Sequence, residues 1–126
     1  MGYISYPLKF FCGTYPLYID NKSCDIGEGI RLEHPHGTHI NASYIGENLE
    51  VMHNVTIGKS KGGMPIIGNN VYIGCGACVL GNVKVGDNVK IGANCVVVKD
   101  VPSNTTIIGC PAKIVKLNGL PVEVYL

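Results

Sequence analysis

Tryptophan is absent and charge is scarce. Asp, Glu, Lys and Arg together make 15% of the chain, against about 25% in an average globular protein. The net charge is +1, so there is no electrostatic case for nucleic acid or for an acidic surface as partner. No apolar run reaches the roughly 18 residues of a membrane span. The opening MGYISYPLKFFCGTYPLYI is apolar and aromatic. It lacks the basic n-region and small-residue cleavage site of a signal peptide. Met1-Gly2 is followed at position 6 by Tyr6, where a myristoylation signal wants Ser or Thr. Segment 1–18 is therefore read as an arm or cap, and 19–126 as one domain.

Six cysteines are present. Cys75 and Cys78 form a C-x-x-C pair, but no second pair stands at zinc-finger spacing. With no export signal, free thiols and a cytoplasmic location are expected. A redox role for the pair would want a helix N-terminus, which this stretch does not predict.

Glycine is plentiful, at 17 residues, alongside many Val and Ile, a composition that favours strands over helices. From residue 67 the chain reads IGNNVY, IGCGAC, VLGNVK, VGDNVK, IGANCV and VVKDVP in unbroken register. The first place of each hexad is branched apolar: Ile67, Ile73, Val79, Val85, Ile91 and Val97. The fifth is small or branched apolar: Val71, Ala77, Val83, Val89, Cys95 and Val101. A shorter run, IGENLE, VMHNVT and IGKSKG, begins at Ile45. Fixed self-similarity of this kind means stacked units sharing one core. A hexad is too short for a helix pair and fits a short strand plus a corner. Three sides then make an 18-residue coil, and coils stack at a strand spacing of about 4.8 Å. The chain has room for about five such coils. The pattern alone does not set their hand.

The third place of each hexad forms a column. Ala93 and Cys75 are one 18-residue coil apart. His53 lies 22 residues before Cys75, the surplus falling in the loop KSKGGMP, and His34 lies 19 before His53. One extra residue is assigned to PHGTHI. His34, His53, Cys75 and Ala93 are thus expected in one outward file, with Pro111 one coil further. One end offers imidazoles; the other offers small side chains that let an extended ligand approach the backbone. This layout suits a thioester carrier aimed at a base, with the glycine loop at 58–63 placed to close over it.

These hexads resemble the left-handed parallel β-helix of the hexapeptide acyltransferases. The ending DVPSNTTIIGCPAKIV is similar to that superfamily's closing signature, D-V-P followed by G-x-P-A-[KR]. GEGIRLEHPHG, NVTIGKSKGG and IGCGACVLGNVKVG resemble serine acetyltransferases, including short relatives without the helical N-terminal domain. The likeness covers roughly residues 24 to 115. It implies an acetyl-CoA-dependent O-acetyltransferase working as a homotrimer, with sites between subunits and a small-molecule hydroxyl acceptor. It assigns His34 as general base, preceded by Glu33, whose family counterpart binds a substrate amino group. An imidazole suits that task, since its unperturbed pKa is near ~6.5. His53 is expected to bind substrate or, with a backbone N–H, to steady the oxyanion. Gly58, Cys75 and Ala93 would line the carrier, and Lys113 would meet its phosphates. The carboxylate that orients the base falls by register at Tyr18 or Ile19. Asp20 is the carboxylate nearest to that position.

Zinc is not expected. His34 and His39 have the spacing of two ligands in β-helical carbonic anhydrases, but that resemblance requires a histidine about two coils upstream, and none precedes His34. His36 and His39 are read as turn or contact residues. Three departures from the serine acetyltransferases bear on substrate and partner. The helical domain is not present in this sequence, so pairing of two trimers through it is not expected. The loop KSKGGMPII is short and lacks an Arg-His pair that contacts the amino acid. The ending EVYL lacks the isoleucine that docks into cysteine synthase, so that partnership is not expected. L-serine, a sugar hydroxyl or another small alcohol stay open as acceptors, as does a non-catalytic scaffold.

Overall fold

The computed structural model describes residues 16–20 and 24–126. The arm 1–18 therefore lies almost wholly outside the described residues. The described chain is built from sixteen strands, most of only two residues. Sheet A holds β1 (Tyr18–Ile19), β4 (His39–Ile40), β7 (Thr56–Gly58), β10 (Cys78–Leu80) and β13 (Val96–Val97). Sheet B holds β2 (Asp25–Ile26), β5 (Tyr44–Ile45), β8 (Ile66–Ile67) and β11 (Lys84–Val85). Sheet C holds β3 (Arg31–Leu32), β6 (Glu50–Val51), β9 (Tyr72–Ile73), β12 (Lys90–Ile91) and β14 (Thr105–Ile108). It continues into β15 (Lys113–Leu117) and β16 (Leu120–Tyr125), which pair antiparallel. Every earlier pairing between strands is parallel. Chain order cycles A, B, C, so each turn of the chain visits three faces of a prism.

The hexad explains this. Its first and fifth residues point inward, and all twelve from Ile67 to Val101 are at most 3% exposed. Branched side chains suit both the strand and the packed interior. At the corner between sheets B and C, the residue before the inward fifth-place residue is an asparagine at positive φ in four coils: Asn48, Asn70, Asn88 and Asn104. Asparagine tolerates that region because its short amide bonds locally. Here the amides also bond each other from coil to coil. Asn48 Nδ2 donates to Asn70 Oδ1 at 3.0 Å, Asn70 to Asn88 at 3.3 Å, and Asn88 to Asn104 at 3.0 Å. Gly74 marks a close approach of backbone to backbone at the corner between sheets C and A: a Cβ there would lie 2.7 Å from the backbone nitrogen of Ala93.

The last coil is short. Lys90 pairs with Thr106, sixteen residues on rather than eighteen. The chain then turns at Gly109–Ala112 and reverses into β15. Pro111 lies in that turn, so it does not extend the file beyond Ala93. The expected fifth member is lost because the coil ends there.

Candidate active site

The corner between sheets C and A carries the predicted site. Its third-place residues stack through regular backbone bonds. Asn94 N–H donates to the Cys75 carbonyl at 2.9 Å, and Gly76 N–H donates to the His53 carbonyl at 3.0 Å. One coil earlier, Asn54 N–H donates to the carbonyl of His36, not of His34, at 2.7 Å. A Cβ on Gly37 would sit 2.5 Å from Asn54 Oδ1, as one on Gly76 would press on Asn94 Oδ1. The stacked file is therefore His36, His53, Cys75 and Ala93.

His34 stands outside it. Leu32 pairs with Val51 and Ile40 with Ile57. This corner thus takes eight residues where the next coil takes six. The surplus is His34 and Pro35, and the following corner, Ile40 to Ile45, is one residue short. The single insertion expected in PHGTHI is corrected accordingly. The bulge is closed by His36 N–H donating to the His34 carbonyl at 2.6 Å, a γ-turn centred on Pro35. His34 takes φ 50°, and among the described residues it is the only non-glycine other than asparagine at positive φ. A left-handed conformation costs a residue with a Cβ roughly 1–2 kcal/mol. Strain of that kind gathers at functional sites.

Thr38 anchors the bulge from inside. Its side chain is fully buried. The hydroxyl donates to the Met52 carbonyl at 3.1 Å and accepts from Val55 N–H at 3.3 Å. Replacing Thr38 by valine leaves both groups unpaired in the core and should cost about 1–3 kcal/mol. A denaturation midpoint checks this, and a fall in turnover beyond the loss of folded protein would show that the bulge's geometry matters.

The other predicted residues fall as follows. Glu33 is half-buried beside His34, its N–H donating to the Val51 carbonyl at 2.8 Å. His53 and Cys75 are half-buried, and Ala93 is exposed. Gly58 ends β7 beside Leu80. The loop after it turns tightly, with Ser60 and Gly63 exchanging two backbone bonds of 3.0 Å. Gly63 rests against Asn82 of the next coil, so the loop is packed down rather than splayed. Lys113 begins β15 and donates to Glu123 Oε1 at 2.8 Å. That bond holds the lysine above its ordinary range and the Glu123 carboxyl below its own.

Asp20 is not brought to His34. Its N–H donates to the Ile40 carbonyl, which places it at the end of sheet A remote from the histidine corner. Among the described residues no hydrogen bond joins the two side chains. Of the two register positions, Tyr18 and Ile19, Tyr18 carries a ring that stacks on His39 with centroids 5.1 Å apart and planes at 27°. Neither this pair nor the place of His36 was expected. Counting backward from Ile40, rather than forward from Leu32, would have found His36.

A groove of about 310 Å³ lies beyond Ala93, lined by Val96, Val98, Lys99, Cys110, Pro111, Ala112 and Leu126. Its lining is largely apolar and suits an extended aliphatic arm. Two larger hollows, of about 440 and 340 Å³, run along sheet C and contain none of the predicted site residues. Burial pushes the Cys95 thiol up, so it serves as core. No group of three or more His, Cys, Asp or Glu among the described residues is placed to hold a metal ion. Among the described residues no helix is long and apolar enough to cross a membrane.

The family described as bacterial transferase hexapeptide (six repeats) matches residues 64–99. Serine acetyltransferase of Staphylococcus aureus is 44% identical over 124 residues, which is 94% of this chain and 56% of that protein. The crystal structure of Neisseria gonorrhoeae serine acetyltransferase in complex with serine shares 43% identity and a TM-score of 0.67, over 72% of this chain and 39% of that one. Serine acetyltransferase of Brucella abortus in complex with coenzyme A shares 39% identity and a TM-score of 0.69, over 75% and 40%. The chain thus spans about half the length, or less, of the relatives it matches. With them it shares the left-handed parallel β-helix that the family resemblance implies. The chain therefore belongs to the hexapeptide-repeat acyltransferase superfamily, as a serine acetyltransferase-like member.

Proposed function

We propose that the protein is an acetyl-CoA-dependent O-acetyltransferase in which His34 is the general base. The observation that carries this reading is the bulge at His34–Pro35. It lifts one imidazole off the stacked file at a strained φ, beside a corner whose remaining members taper to Cys75 and Ala93. A relative with coenzyme A bound supports the choice of carrier, and relatives named serine acetyltransferase support the reaction.

In the reaction the acceptor hydroxyl gives its proton to the His34 imidazole as its oxygen attacks the thioester carbonyl. The C–O bond forms, the C–S bond breaks, and the proton passes to the departing sulfur. In this reading His53 and a backbone N–H of the same corner steady the oxyanion. Glu33, whose family counterpart meets a substrate amino group, would take that role for an acceptor that carries one. The carrier arm runs past Gly58, Cys75 and Ala93 into the apolar groove at Cys110–Pro111. The working unit is a homotrimer, with each site between two prisms and a soluble hydroxyl compound as acceptor.

The test mixes the protein with acetyl-CoA and a panel of hydroxyl acceptors and follows free thiol, with calorimetry of coenzyme A binding alongside. Turnover with at least one acceptor supports the reading. No carrier binding would favour a non-catalytic scaffold. Lys113 supplies a finer check. If it meets the carrier's phosphates, Glu123 competes for it. Lys113→Ala should then raise the KM for acetyl-CoA severalfold, whereas Glu123→Gln should lower it. Both effects should shrink as salt is added.

A further inference from the structure

We infer that Cys75 is a modification site, where the thiol of the spent carrier is captured as a mixed disulfide when a peroxide is present. The inference rests on the acetyl-transfer reading above and names a regulation of that site. Cys24, Cys75, Cys78, Cys95 and Cys110 are free thiols. Two of them stand apart: Cys95 is core, and Cys24 precedes β2 at the corner between sheets A and B. The other three gather round the corner that carries the file. Cys75 is in the file itself. Gly76 N–H ties its turn to the His53 carbonyl, and Asn94 N–H ties the next coil to the Cys75 carbonyl. Cys78 opens β10, outward between Thr56 and Val96. Val96 and Cys110 line the apolar groove. An arm running from His53 into that groove passes all three thiols, and the transfer it serves leaves the arm itself ending in a thiol.

Position decides which of the three the carrier's sulfur meets. The acetyl carbon must come within about 3–3.5 Å of the acceptor oxygen, so the sulfur bonded to it is held at the histidine end of the file. Coils stack about 4.8 Å apart. Cys75 is one coil from His53, whereas Cys110 lies beyond Ala93, a coil further on. Cys78 faces out from sheet A, to one side of the file. Exposure ranks them differently, since Cys110 is exposed and Cys75 half-buried. The chemistry needs a peroxide as oxidant. One peroxide oxygen bonds to the Cys75 sulfur as the O–O bond breaks, and the other leaves as water with the thiol's proton, giving a sulfenic acid. The carrier's sulfur then attacks that of Cys75, as a thiolate. His34, which hands a proton to this sulfur in turnover, can take it back. The S–S bond forms, the S–O bond breaks, and the hydroxyl leaves as a second water with that proton. Two thiols are oxidised and one peroxide is reduced. This is not the chemistry of a C-x-x-C pair at a helix N-terminus, because the second thiol belongs to the carrier. The tethered arm fills the site, so transfer stops until a reductant cleaves the bond.

The experiment treats the full chain with hydrogen peroxide in the presence of coenzyme A and reads the intact mass. A gain of one coenzyme A less two hydrogens is expected, mapped by peptide digestion to Cys75 and removed by dithiothreitol. Glutathione at the same concentration should add about tenfold less or lower still, because a thiol bound beside Cys75 has an effective concentration of millimolar order. Acetyl-CoA in place of coenzyme A should add nothing, since its sulfur is acylated. Cys75→Ala should lose the adduct, while Cys78→Ala and Cys110→Ala should keep it. The treated protein should lose acetyl transfer and regain it with dithiothreitol, whereas Cys75→Ala should hold its own starting rate through the same treatment. An adduct mapped to Cys78 or Cys110 would overturn this inference and leave the acetyl-transfer reading intact. So would equal capture of glutathione, a sulfinic acid at Cys75 in place of the disulfide, or no adduct in a protein that binds coenzyme A and turns over. No coenzyme A binding, together with no thiol release with any acceptor, would remove the acetyl-transfer reading and this one with it.

Discussion

His34→Ala should lose acetyl transfer by about 10²–10⁴-fold, the range a positioned general base supplies. His34 is exposed, so the variant should fold and assemble as before. Thiol release under saturating acetyl-CoA measures the loss, and circular dichroism with sedimentation shows the unchanged fold. His36→Ala is the informative companion. It removes the imidazole that stacks in the file while sparing the one on the bulge. A larger loss in His36→Ala than in His34→Ala would transfer the role of base one turn along. Full activity in His34→Ala would remove that role from it altogether.

The second large effect is on stability. Ile73 is fully buried in the middle coil, its strand flanked by Val51 on one side and Ile91 on the other. Ile73→Ala should cost about 2–5 kcal/mol, because the stacked coils above and below cannot close the cavity. A prism of this kind depends on interfaces between neighbouring repeats. The damage should therefore spread to both adjoining coils, and hydrogen exchange should show protection lost from β6 and β12 together. Exchange confined to β9 would contradict nearest-neighbour coupling. Surface replacements on the same strand, such as Tyr72→Thr, should stay within about 0.5 kcal/mol.

The core was legible because its period is strict. One register error moves every side chain from inside to outside, so Ile67 through Val101 had a single consistent reading. The site was legible only in part, because it sits where the period breaks. His34 and Pro35 carry no apolar residue to count from, and their surplus is partly cancelled by the short corner before Ile45. A forward count placed His34 in the file; the hydrogen bond from Asn54 to the His36 carbonyl places His36 there. Asp20 follows the same lesson. Its distance along the chain from a register position gave no sense of which end of a strand it would occupy. Tyr18 and His39 are 21 residues apart, and neither belongs to a hexad. Their stack depends on a long first coil that the repeat does not predict. Lys113 was read as free to meet phosphate, because nothing in CPAKIV announces a hairpin that brings Glu123 back to it.

The reversal at β15 and β16 also bears on how the molecule coexists with its own copies. A column of parallel strands with a ladder of asparagines along one edge is, in repeat spacing and bonding, a short length of fibril. Nothing in the coil itself forbids another from adding to its end. The turn at Gly109–Ala112 prevents this at the C-terminal end by folding the chain back across it. The outermost strand then carries Pro121, which has no N–H to offer a newcomer. The hairpin is thus a terminus in the polymer chemist's sense, a group that ends growth and keeps a self-templating architecture at one fixed length.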